Sequence, residues 1–156
     1  MRNIFVFLVL VVLSIGAQAN SVGGVPSPKE IVGYWKMVPI DKPELNKVNP
    51  WPMPYQWFGF YSDGSLVSMG KTENGVYTRD ELSSIFAEVK PSAAKYYWQG
   101  EMLIIQNSGS TNQSEVWGVN IFRKDVRFAK MGDLIMTLAG GKDGSPVYYR
   151  HLTPVK

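Results

Sequence analysis

From Ile31 onward the chain is cut into short apolar-rich runs, separated by turns containing Gly, Pro, Asn or Asp. A chain interrupted this often cannot build long helices, and such spacing favours short strands joined by hairpins. The clearest unit is Tyr55–Ser62, Asp63-Gly64 and Ser65–Lys71. Gly accepts positive φ without steric cost and Asp tolerates it, so a tight reversal is expected there. Further strands are expected at Ile31–Val38, Lys95–Gln99, Met102–Asn107, Ser114–Arg123, Leu134–Ala139 and Val147–Leu152. Arg127-Phe128 is read as an extension of Ser114–Arg123 beyond a bulge, and Gly140–Ser145 as a turn cluster. The pattern is all-β and suits a sandwich or an up-and-down barrel; the consecutive hairpins favour an antiparallel up-and-down barrel of about eight strands.

One segment breaks the pattern. Thr78-Arg79-Asp80-Glu81 is a capping box, and Leu82, Ile85, Phe86 and Val89 follow at helical spacing. A short amphipathic helix is therefore expected over Arg79–Lys90, ended by Pro91 and covering one mouth or side of the barrel. Asn20–Pro28 is read as a flexible lead, and Ser27-Pro28-Lys29-Glu30 as a single capped turn.

On Ile31–Val38, alternation puts Ile31, Gly33, Trp35 and Met37 on one face and Val32, Tyr34, Lys36 and Val38 on the other. Lys36 assigns its own face to solvent and so sends Trp35 to the core. Tyr55–Ser62 stays undecided, because Tyr55/Trp57/Tyr61 and Phe58/Phe60 are equally apolar. Pro39–Pro54 carries Pro39, Pro43, Pro50, Pro52 and Pro54, which excludes a central strand or a helix interior. Long loops of this kind are often lids or binding loops, and here Trp51 and Met53 form a candidate lid or interaction loop. The alternative is that both tuck under the barrel as a plug.

Met1–Ala19 has a basic start, an apolar run from Ile4 to Ile15 and the small-residue site Ala17-Gln18-Ala19. That pattern is a secretory signal peptide, and the apolar run is too short to span a membrane. The expectation is an exported protein, periplasmic or extracellular, with residues 20–156 as a single monomeric domain and no membrane span in the mature chain. The chain has no Cys, so the core must hold without disulfides. The formal net charge is only +3, and the basic cluster Arg123-Lys124 with Arg127 and Lys130 is interrupted by Asp125 and Val126. It reads as a solvated hairpin end, with no nucleic-acid partner expected.

Gly33-x-Trp35 on the first strand, Arg150 on the last, the Asp-Gly turn, and the runs Gly132–Leu138 and Val147–Arg150 resemble small bacterial lipocalin-like (calycin-type) barrels. The resemblance implies barrel closure through Gly33, Trp35 and Arg150, with the guanidinium packed on the indole, and carriage of a small hydrophobic molecule. One departure is the helix, which lies between the third and fourth strands, whereas lipocalins place theirs near the C-terminus.

Little in the chain suggests catalysis. His151 is the single histidine, and it reads as a surface residue beside Arg150. Asp41 with Glu44, and Asp80 with Glu81, have sufficient explanations in a loop and a helix cap. No catalytic residue, metal or cofactor is expected, and the chain reads as a non-enzyme. An eight-stranded barrel is filled by side chains or holds one small ligand. If Trp35, Trp57, Tyr61, Trp117 and Tyr148 all point inward, they are the ligand-binding candidates for a small hydrophobic or aromatic molecule. The rival readings are an envelope protein-interaction module, an inhibitor or assembly factor acting through surface loops, and a barrel enzyme.

Overall fold

A computed structural model describes residues 22–39, 53–107, 114–140 and 146–156. Residues 1–19, Trp51, the polar loop at 108–113 and most of the turn cluster, 141–145, lie outside the described residues. The elements follow in order as β1 (Gly23–Gly24), β2 (Gly33–Val38), β3 (Tyr55–Phe60), β4 (Ser65–Lys71), α1 (Arg79–Val89), β5 (Ala94–Gln99), β6 (Met102–Gln106), β7 (Ser114–Phe122), β8 (Leu134–Ala139) and β9 (Pro146–Pro154). Each strand from β2 to β9 pairs antiparallel with the next, and β2 pairs back onto β9 through Trp35–Val38 and His151–Pro154. The molecule is thus a closed, eight-stranded, up-and-down antiparallel barrel with one inserted helix.

Local chemistry accounts for the elements the sequence announces. At the β3–β4 reversal Gly64 takes φ +76, and Asp63 Oδ1 accepts from the Ser65 N–H at 2.9 Å. The Thr78 box closes in both directions, with Glu81 N–H donating to Thr78 Oγ1 at 3.2 Å and Thr78 N–H donating to Glu81 Oε2 at 2.7 Å. The helix stops at Val89, and Pro91 falls in the 3-10 turn Lys90–Ser92 that follows.

Three expectations are corrected. The lead is not wholly loose, since Gly23 and Gly24 pair with Phe122 and Ile121 of β7. A Cβ on Gly23 would lie 2.9 Å from the Ile121 carbonyl, so only glycine comes this close. Arg127-Phe128 does not extend β7, because Val126 and Ala129 form a bridge that folds the segment back on itself. The Lys36 face does not meet open solvent, since α1 packs across it and across the outer face of β3 and β4.

That last point gives the barrel two cores. The inner one contains Trp35, Phe58, Phe60, Leu103, Trp117 and Tyr148 among others. The outer one, between the barrel wall and α1, is built on Trp57, Val67, Leu82 and Phe86. Lys36 is half-buried at its edge, where Nζ donates to Asn74 Oδ1 at 2.8 Å and the Gly75 carbonyl at 3.2 Å and lies 5.6 Å from the Trp57 ring. The long stem thereby covers apolar surface while its charge stays solvated and bonded.

Below β2 the Ser27–Glu30 turn is tied to the end of β7. Glu30 accepts from the Ser27 N–H at 2.7 Å and is clamped by both terminal nitrogens of Arg123. The Arg123 guanidinium, then the Ser27 N–H, hold the Glu30 carboxyl down at about 2, against an ordinary 4.5. A lowered folded-state pKa stabilises above the unfolded value and is lost as pH falls through the folded one. We expect this contribution to fade between about pH 4.5 and about pH 2. Thermal melts of Glu30→Gln should show a shallower decline over that window than the parent; superimposable profiles would remove the role assigned to the clamp.

Candidate functional site

Alternation and register together define the barrel's interior. Trp35 lies opposite Phe58, and Phe58 opposite Ser68, so all three face inward. Leu103 lies opposite Trp117, and Trp117 opposite Leu138, which in turn faces Tyr148. The up-and-down order sets the C-terminal ends of β2, β4, β6 and β8 at one end, here the upper end. The Asp63-Gly64, Gly100-Glu101 and Arg123–Asp133 reversals close the lower end.

The five candidate rings do not share one space. Trp35, Trp117 and Tyr148 are buried inside the barrel. Trp57 and Tyr61 stand on the outer face of the wall beneath α1, in the second core. The physical reason is the helix, which needs an aromatic wall to dock on and takes the Trp57/Tyr61 face. Trp57 meets Tyr77 edge-on at 5.0 Å, and Tyr61 meets Tyr34 edge-on at 6.1 Å.

Arg150 is the polar centre of the interior. It is 3% exposed, with its guanidinium carbon 4.6 Å from the Trp117 ring, 5.0 Å from Phe58 and 5.4 Å from Tyr148. Such faces stabilise a desolvated cation. Burial pushes its pKa down, while the neighbouring Tyr148 and Glu115 push it back up. Glu115 shares the inward stripe with Trp117, whose indole N–H donates to Glu115 Oε2 at 2.9 Å. Asn107 Nδ2 approaches the other oxygen at 3.5 Å. The three rings around Arg150 come from β3, β7 and β9. Trp35 donates its indole N–H to the Ile31 carbonyl at 2.8 Å and so plugs the lower end. Gly33, at φ +142, starts β2 just below that plug.

Met53 is 41% exposed at the upper end, where its carbonyl accepts from the inward-facing Gln56 at 3.0 Å. A Cβ on the inward-facing Gly70 would meet Met53 at 2.9 Å. The wall is incomplete nearby. β4 and β5 pair only through Ser65–Lys95 and Leu66–Ala94, because the chain leaves the sheet to make α1. A cleft of about 220 Å³ opens there, lined by Ser68, Val89, Ser92, Ala93 and Asn107 among others. Ser68, inward-facing by register, is exposed and lines this cleft.

Sequence reasoning missed Glu115, although its signal was present: it is a carboxylate in register with Trp117, Val119 and Ile121 on an otherwise apolar stripe. It also misplaced His151. That side chain is 12% exposed and its Nε2 lies 2.9 Å from Asp133 Oδ2, which also accepts from the Lys130 N–H at 2.8 Å. The pair fastens the start of β8 to β9.

The fold and interior therefore define a closed eight-stranded barrel with a buried, ring-supported arginine. No protein family, no curated protein and no solved structure matches the chain.

Proposed function

We propose that this is an exported, lipocalin-like binding protein that takes one small apolar or aromatic molecule into the upper part of its barrel. The observation that carries the reading is the interior itself. Phe58, Trp117 and Tyr148 surround the buried Arg150, with Glu115 behind. An apolar wall with a few convergent polar groups is the usual composition of a small-molecule site. The cleft beside β4 supports the same reading, because it lies at this end and the inward-facing Ser68 lines it.

Native mass spectrometry of the purified protein, followed by organic extraction, tests it. A stoichiometric small molecule is expected, lost or reduced in Trp117→Ala while a Tyr97→Ala surface control keeps it. An empty protein that also fails to shift the fluorescence of 1-anilinonaphthalene-8-sulfonate would overturn the proposal.

A further inference from the structure

The lower end of the barrel, away from that site, carries a second unexplained feature. Among the described residues, nine large apolar side chains are exposed, and Val22, Val25, Val32, Phe128 and Met131 all belong to this end. β1 holds Val22 and Val25 beside the end of β7, and Val32 immediately precedes β2. Phe128 and Met131 project from the β7–β8 connection and are 68% and 67% exposed.

The connection is built to hold them out. Val126 N–H donates to the Ala129 carbonyl at 2.9 Å, and Met131 N–H to Asp125 Oδ1 at 2.8 Å. Phe128 is braced edge-on against Phe122 at 5.7 Å. Around the two apolar tips stand Arg123, Lys124, Arg127 and Lys130. Against them are Glu30, which pairs with Arg123, and Asp125, which pairs with Lys130, while Asp133 is buried against His151. By formal charge the four cations exceed Glu30 and Asp125 by two, so the collar is cationic.

We propose that this hairpin docks the protein on the surface of an anionic lipid bilayer. A convex apolar tip needs a matching hollow to bury itself in a protein partner, but a bilayer interface accepts it without one. Phe and Met would enter the boundary between headgroups and acyl chains, and the Arg and Lys stems would reach back to the lipid phosphates.

The chain has no Cys, so Met131→Cys carries a single environment-sensitive nitrobenzoxadiazole label at the tip, and its signal is specific to the hairpin. On vesicles of phosphatidylcholine with about one-third phosphatidylglycerol, the label is expected to shift to the blue and brighten. Pure phosphatidylcholine should give little response, because the collar's attraction to anionic headgroups is then absent. Lys124→Glu/Arg127→Glu and, separately, Phe128→Ser should each weaken the response about tenfold or more. An unchanged label on the anionic vesicles would overturn the proposal. So would a shift that depends on protein concentration without vesicles, which would make the tip a contact between copies of this chain. An equal shift with soluble polyglutamate would do so too, by reducing the tip to a polyanion-binding surface.

Discussion

Phe86→Ala is expected to lower the unfolding free energy by about 3–5 kcal/mol, the range for emptying a fully buried aromatic site. Phe86 is 0% exposed and, with Leu82, is the means by which α1 grips the barrel wall. Its ring occupies the space over Gly59, where a Cβ would come within 2.8 Å of Phe86 Cδ2. Gly59→Ala alone should therefore cost about 1–3 kcal/mol through overpacking. In the Phe86→Ala background that second cost should largely vanish, since the added methyl then enters the vacated space. Urea melts of the four proteins measure this cycle. Additive losses would mean that ring and glycine do not compete for one space.

Arg150→Ala is the second large effect, expected to cost on the order of 3 kcal/mol because it leaves Glu115 inside the barrel without its neighbouring cation. The informative comparison is Arg150→Met combined with Glu115→Gln. The double variant removes both charges, roughly preserves volume and keeps an acceptor for the Trp117 indole N–H. Replacing buried charges by well-packed neutral groups is often neutral or stabilising, so the double variant should recover most of the loss in urea melts. If it does, and the same variant loses its small molecule in native mass spectrometry, the charged interior is maintained for binding and not for stability. If Arg150→Met alone matches the parent in stability, Glu115 does not depend on the cation and the coupled site fails.

Much of the architecture was legible because it is written in neighbouring residues. The Asp63-Gly64 reversal needs only two residues and their backbone preferences. The helix start at Thr78 needs only the reciprocal bonds of a four-residue box. β4, β8 and the first residue of α1 fall where turn chemistry and spacing put them. The ends of β7 and β9 are less local: β9 runs on to Pro154 because β2 offers it a partner, and β7 stops at Phe122 because the chain folds back at Val126.

What the sequence alone determined is the order of hairpins and the one interrupting helix, since each follows from periodicity and turn residues a few positions apart; closure of the barrel rests on the distant β2–β9 pairing. What only the tertiary structure decided is which side of each aromatic strand serves which core. Tyr55–Phe60 is apolar on both faces because both are covered, one by the barrel interior and one by α1, and a strand buried twice has no alternation left to read. The same long-range packing turns Trp57 and Tyr61 outward. It also sets Arg150 among Phe58, Trp117 and Tyr148, and brings His151 to Asp133. Tyr148 is a near neighbour of Arg150 on β9, but the other partners lie well apart in the chain, and the closed strand register brings them together.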